Sequence, residues 1–202
     1  YDCIGARETV TFENCWSFYN GYSPKFVSLG DGNGFKAGGY GTTSADKLPQ
    51  PIPRHAIRFC LAVRNKAGGF YANHHPGGSD WDNNTAFRNG SNFNMLCRLA
   101  DNLTDVDGYG HTLRNNLSCK SRALISRFDP AKCISSNNSF TLDLELGDAD
   151  FASVDEGELI RPRQPNGELP SIRFLHPAPG GIAVDKGVDI GFPFRGARPD
   201  LG

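Results

Sequence analysis

No stretch of this 202-residue chain approaches the roughly 18 consecutive apolar residues that a membrane helix requires, so no membrane span is expected. Blocks of Lys or Arg are missing too, and 21 basic against 22 acidic residues leave a formal net charge of −1. Nucleic acid and anionic bilayers both select a basic face, which removes them from the expected partners. Cysteine never occurs as C-x2-C, which argues against a zinc site. Gly30-Asp31-Gly32-Asn33-Gly34 lacks the Lys-Ser/Thr and following helix of a phosphate loop and reads as a turn. At Tyr1 there is neither an initiator Met nor a charged leader with an apolar run, the pattern of a processed, mature protein.

What is present points to short strands. Twenty-four Gly and 13 Pro interrupt the chain too often for long helices, while β-branched and aromatic residues cluster in brief runs. Ile57 to Arg64 alternates, with Ile57, Phe59, Leu61 and Val63 predicted on one face and Arg58 and Arg64 on the other. Phe140 to Leu146 repeats the pattern, with Thr141, Asp143 and Glu145 outward. Weaker strands are predicted at 10–12, 172–175, 182–184 and 188–192, a loop at 30–53, and a short helix at 94–103 from the spacing of Met95, Leu96, Leu99 and Leu103. No internal repeat is apparent. The economical architecture is a single all-β domain over 1–202, an antiparallel β-sandwich of immunoglobulin-like or jelly-roll-like form with long loops; Phe128-Asp129-Pro130 marks a candidate internal boundary near 126–136.

Five Asn-x-Ser/Thr acceptors, at Asn83, Asn89, Asn102, Asn116 and Asn137, accompany six cysteines: Cys3, Cys15, Cys60, Cys97, Cys119 and Cys133. That pairing predicts a secreted, extracellular or cell-surface glycoprotein carrying N-linked glycans on exposed loops and braced by three disulfides of open connectivity. No cofactor is expected. Asp101, Asp105 and Asp107, and the run Asp148, Asp150, Asp155 and Glu156, offer oxygen ligands of the kind Ca²⁺ takes, without the full alternating loop of a calcium site. His74-His75 has no nucleophile at recognisable spacing and reads as surface histidine.

Two strings carry resemblances. Asp80-Trp81-Asp82-Asn83-Asn84, followed by Asn92-Phe93, resembles the signature of starch- and glycogen-binding β-sandwich modules. The resemblance implies Trp81 as a stacking platform for α-glucan, with Asn84 and Asn92 hydrogen-bonding sugar hydroxyls. Asp143-Leu144-Glu145-Leu146-Gly147-Asp148 resembles, with Asp and Glu exchanged, the Glu-x-Asp-x-x-Glu pattern of retaining β-glucanases of jelly-roll fold. On that likeness Glu145 with Asp143 or Asp148 would form the catalytic pair, although those enzymes line their cleft with several Trp and this chain has two.

The absence of a complete active site makes a non-enzymatic structural subunit of an extracellular coat, matrix or filament the leading expectation. It would self-associate into a homopolymer, an extended end such as Thr9–Phe12 or Val188–Phe194 adding a strand to a neighbour's sheet. A carbohydrate-binding module using Trp81, with a polysaccharide partner, and a β-glucan hydrolase using Glu145 are the alternatives.

Overall fold

The computed structural model describes residues 1–202, and its strands follow one another in triplets. The first coil contains β1 (Thr11–Glu13), β2 (Trp16–Phe18) and β3 (Phe35–Lys36); the second β4 (His55–Arg58), β5 (Leu61–Val63) and β6 (Gly68–Tyr71); the third β7 (Ser79–Asp82), β8 (Thr85–Phe87) and β9 (Ser91–Asn94). After a two-stranded antiparallel excursion, β10 (Cys97–Arg98) with β11 (Asp105–Val106), the fourth coil contains β12 (Thr112–Arg114), β13 (Leu117–Cys119) and β14 (Ile125–Ser126), and β15 (Ile134–Ser136) opens a fifth. Each strand pairs in parallel with its counterpart one coil away. The result is three sheets, β1-β4-β7-β12-β15, β2-β5-β8-β13 and β3-β6-β9-β14, which form the faces of a parallel β-helix.

Sequence alternation misled because the strands are too short to hold a period across a corner. Ile57 does point inward, but the backbone turns at Phe59, whose φ is 52°. Ala62 then joins Ile57 and Cys60 in the central core, whereas Leu61 and Val63 face the opposite side of the second sheet. The antiparallel sandwich is therefore replaced by parallel coils. No disulfide forms either: all six cysteines are free. Burial raises the thiols of Cys60 and Cys119 to about 12 and those of Cys3 and Cys97 to about 11, so they pack as small neutral apolar groups.

The coils are held in register from inside. In the third sheet Phe35, Phe70 and Phe93 stack with ring centroids 5.1 and 4.9 Å apart. At the corner between the first and second sheets, two residues intervene in every coil, and the first adopts a left-handed conformation: Asn14, Phe59, Asn83, Asn115 and Asn137 have φ from 52° to 58°. Asn tolerates that region better than most residues. From the second coil onward the second corner residue is buried and takes part in a ladder. Asn84 Oδ1 accepts from the Cys60 amide at 3.1 Å, Asn116 Oδ1 from the Asn84 amide at 3.0 Å, and Asn138 Oδ1 from the Asn116 amide at 2.9 Å. A second ladder runs through Asn20, Asn65, Asn89 and Asn92 at the corner leading to the third sheet. The first ladder's rungs are separated by 24, 32 and 22 residues, unequal steps that hide the repeat in the sequence.

Residues 140–202 form an arm with short 3₁₀ turns at Asp148–Asp150 and Glu156–Ile160. None of the strands predicted at 140–146, 172–175, 182–184 or 188–192 forms, and the region 94–103 holds part of β9, β10 and a turn in place of a helix. Phe140 packs beside Phe93. Phe151, Leu159, Phe174, Leu175, Ala183 and Leu201 cover the outer apolar face of the second sheet. Val188–Phe194 is likewise engaged within the chain: the Val188 amide donates to Asn115 Oδ1 at 2.8 Å, and the Phe192 ring packs edge-on to Phe59. No helix is long and apolar enough to cross a membrane.

Candidate functional site

The arm covers the second sheet, the first presents paired charges such as Arg58 with Glu13 and Arg114 with Asp82, and the third carries an outward polar row beside an open cavity. Inward Phe35 sends its neighbour Lys36 outward. The backbone of residues 1–3 pairs with Lys36, its amide donating to Tyr1 O at 3.0 Å and its carbonyl accepting from the Cys3 amide at 3.1 Å. This sets Asp2 beside it, with Lys36 Nζ 3.0 Å from Asp2 Oδ2. The pair lines an open polar cavity of about 500 Å³ together with Asn20, Tyr22, Asp31 and Asn33.

The Gly-rich string builds the neck of that cavity. Gly21 and Gly32 both have positive φ, and a Cβ on Gly21 would lie 2.6 Å from the Gly32 Cα, so the two strands of the loop approach as only glycine allows. The loop is pinned to the next coil through Gly32 O, which accepts from the Ala67 amide at 3.0 Å, and through Lys66 Nζ donating to Gly30 O.

From Lys36 a row of outward side chains continues across the sheet. Lys36 pairs in register with Tyr71, Tyr71 with Asn94, and Asn94 with Ser126. The Tyr71 hydroxyl lies 2.8 Å from His74 Nε2, and His74 Nδ1 lies 2.8 Å from Asp105 Oδ1. Because the carboxylate can only accept, Nδ1 carries the proton, and in neutral His74 Nε2 accepts from Tyr71. Arg98 Nε also donates to Asp105 Oδ1, at 2.9 Å. Burial, with the Asp105 charge adding to it, raises the Tyr71 hydroxyl above its ordinary value.

The residues singled out in the sequence fall elsewhere. Trp81 is fully buried, donating Nε1–H to His111 Nδ1 at 3.2 Å, and cannot stack on a sugar. Asn84 belongs to the ladder, and Asn92 Nδ2 donates inside the coils to Ala86 O and Cys119 O. Asp143, Glu145 and Asp148 are exposed on the arm, Asp148 paired with Lys120. Asp101 accepts from the Leu103 and Thr104 amides, while Asp105 and Asp107 face Arg98 and Arg127; no three His, Cys, Asp or Glu side chains converge as a metal site.

Of the glycan acceptors, Asn89, Asn102 and Asn116 are buried, and Asn83 is 8% exposed. The Nδ2 that would carry a sugar donates to Ala62 O in Asn89, Thr43 O in Asn102, Trp81 O in Asn116 and Lys186 O in Asn137. His75 is buried, whereas His74 lies in the outward row. Lys36 and Asp2 escaped notice in the sequence; their signal was a single Phe-Lys alternation directly after the Gly-rich turn.

A family model described as Pel9A-like, right handed beta helix region matches residues 1–116. The chain belongs to that family. The Pel9A-like assignment makes the helix right-handed and replaces the likeness to starch-binding sandwiches. Pectate lyase L of Dickeya dadantii is 28% identical over 205 residues, covering 100% of this chain and 44% of that protein. Among solved structures, a rhamnogalacturonan lyase aligns with a TM-score of 0.81 at 47% identity, covering 89% of this chain and 44% of that one. The crystal structure of pectate lyase Pel9A aligns with a TM-score of 0.77 at 26% identity, covering 100% and 46%. The chain spans less than half the length of these relatives. Membership in a family of polysaccharide lyases overturns the expectation of a non-enzymatic filament subunit, and with it the glucan-binding module and the glycoside hydrolase.

Proposed function

We propose that this Pel9A-like chain forms part of an extracellular polysaccharide lyase that cleaves a galacturonate-containing polymer by β-elimination, with Lys36 as the base. The observation that carries the reading is the Lys36 amine, turned outward beside Asp2 at the rim of the polar cavity. The named activities of the relatives share galacturonate as their acidic sugar.

In such a polymer the proton on C5 lies α to the carboxylate. An uncharged amine takes that proton, the released electron pair forms the C4–C5 double bond, and the C4–O4 glycosidic bond breaks with its electrons leaving on oxygen. Solvent returns a proton to that oxygen. No water is added across the bond, which separates this chemistry from hydrolysis.

Asp2 fixes the amine over the cavity, and the tight Gly21–Gly32 neck holds the facing wall. The C5 proton becomes more acidic when the adjacent carboxylate is neutralised, and a divalent cation is one means of doing so. The carboxylates of this chain at the cavity are Asp2 and Asp31, fewer than the six to eight oxygen ligands that Ca²⁺ takes. These two carboxylates alone do not make a calcium site.

The test is the ultraviolet absorbance of the unsaturated product during incubation with pectic polymers. Lys36→Ala should lower the rate by about 10²–10⁴-fold. Full activity in Lys36→Ala, at unchanged thermal stability, would refute the assignment of the base.

A further inference from the structure

Where the second sheet turns toward the third, the first residue past the strand adopts a left-handed conformation in successive coils: Tyr19, Arg64 and Arg88 have φ of 56°, 49° and 55°. Neighbouring coils stand about 4.8 Å apart, so these three side chains form a column along one edge of the molecule. The arm meets that column with one carboxylate. Glu156 Oε2 accepts from the Tyr19 hydroxyl and from Arg64 Nε, each at 2.5 Å, and Glu156 Oε1 accepts from Arg88 Nη1 at 2.8 Å.

Two guanidinium groups thus share a single acid. Elsewhere on the coils the pairing is one to one, Arg54 with Asp80, Arg114 with Asp82 and Lys120 with Asp148. The shared acid leaves the cluster with an excess of positive charge. Donors are left over as well: both Nη of Arg64, and Nε and Nη2 of Arg88, have no acceptor within the chain, and the two side chains are 44% and 33% exposed. A guanidinium with a free edge matches a carboxylate through parallel N–H···O bonds.

Beside the free edges stands an apolar platform. Phe26 is 65% exposed, its ring 5.4 Å from that of Tyr19 and 6.4 Å from that of Tyr22. A left-handed φ of 57° is costly for so bulky a residue, and the turn imposes it: the Phe26 amide donates to Ser23 O and the Ser23 amide to Val27 O. Rings and guanidiniums line a hollow of about 430 Å³, within the roughly 300–1,000 Å³ of small-molecule sites. Lys36 is not among its walls, but Tyr22 borders both this hollow and the cavity at Lys36.

We infer that the hollow is a second, non-catalytic site for an acidic sugar, whose carboxylate lies on the free edges of Arg64 and Arg88 and whose apolar face lies on Phe26. A polymer passing Tyr22 then meets the protein twice, and the second contact raises the affinity for long chains over short ones. The inference deepens the lyase reading above, adding a hold on the same polymer away from the bond that breaks.

Titration of the wild-type protein with methyl galacturonoside, whose O4 bears no sugar to eliminate, tests it when followed by NMR at the Arg64 and Arg88 Nε–H and Phe26 ring resonances. These should shift together along one saturating curve. Methyl galactoside, which lacks the charge, and acetate, which lacks the ring, should each bind about 10-fold more weakly or worse. Arg88→Lys keeps a cation facing Glu156 but loses the planar fork, and Phe26→Gly removes the ring while suiting the left-handed backbone; each should weaken binding by about 5-fold or more in a folded protein. Equal affinity for acetate would reveal a simple anion site, and equal affinity for methyl galactoside a neutral-sugar site; either overturns the inference. So does the absence of saturable shifts in the wild type, whatever the variants do. Normal binding here without unsaturated product from pectic polymers would instead overturn the lyase reading alone.

Discussion

Acid should unfold this protein through its interior histidines before its carboxylates titrate. His75 and His111 are buried in the coils, and burial, with neighbouring His and Arg54 charge adding to it, lowers both from 6.5 to about 4. The geometry gives the same direction. The Gly39 amide donates to His75 Nδ1 at 3.2 Å and the Ser79 amide to His111 Nδ1 at 3.0 Å, so neither nitrogen can take a proton without setting two N–H groups against each other. Above pH 6.5 both folded and unfolded states keep these rings neutral, and stability is flat with respect to them. As pH falls below 6.5 the unfolded chain binds protons that the fold refuses, and stability drops by about 1.4 kcal/mol per pH unit for each ring. The loss ends near pH 4, where the folded rings also titrate. Between pH 6.5 and 5 the two rings together remove about 4 kcal/mol, a large share of the roughly 5–15 kcal/mol that stabilises a domain. Urea denaturation at closely spaced pH values measures this directly. The double variant His75→Asn, His111→Asn retains an acceptor at each site and should show a shallower slope over that window. An identical slope in variant and wild type would refute the reasoning.

Further expectations concern the ladder, the core and the cavity neck. Asn116→Ala strands the amide of Asn84 and removes the side-chain donor from the carbonyl of Trp81 and from the Oδ1 of Asn138, which keeps the residue-116 amide, and should cost about 2–3 kcal/mol by denaturant titration, with no glycan lost by mass. Trp81→Ala should destabilise by about 3–5 kcal/mol in the same titration, as expected of a fully buried side chain and not of a sugar platform. Gly32→Ala, at φ 73° with its Cβ 2.6 Å from Asn20 O, should open the neck beside Lys36; kcat/KM on pectic polymers should fall well beyond the change in melting temperature.

That the chain builds short strands and no long helix was legible from its frequent Gly and Pro and its short β-branched and aromatic runs, but of the stretches read as strands only 10–12 and 57–64 fall on strands. The architecture was not legible. Parallel β-helix strands of two to four residues reset their inward pattern at every corner, so Ile57 to Arg64 looked like one strand when Phe59 divides it in two. A repeat was nevertheless written out three times, in Asn83-Asn84, Asn115-Asn116 and Asn137-Asn138. In each pair the first residue takes the left-handed corner and the second the buried ladder. Three of the five acceptors, Asn83, Asn116 and Asn137, come from these pairs, so in the sequence the corner asparagines and the acceptor motif fall on the same residues. The cavity was harder still, because Asp2 and Lys36 lie 34 positions apart and are joined only by the pairing of backbone around them.

The two-residue corner also governs which parts of such a chain are free to change length. Adding a residue there would push an asparagine off its rung and unseat every coil stacked beyond it. The corner leading to the third sheet is pinned only at its start, by the second asparagine ladder; past Asn20 and Asn65 its length varies freely, so that the whole connection runs over residues 19–34 in the first coil and 64–67 in the second without disturbing the register of either. Closing a longer loop costs only slowly more as it grows. One edge of the molecule thus serves as a keel of fixed length, while the loops bordering Lys36 can be lengthened or exchanged, and new polymers accommodated, without asking the scaffold to fold anew.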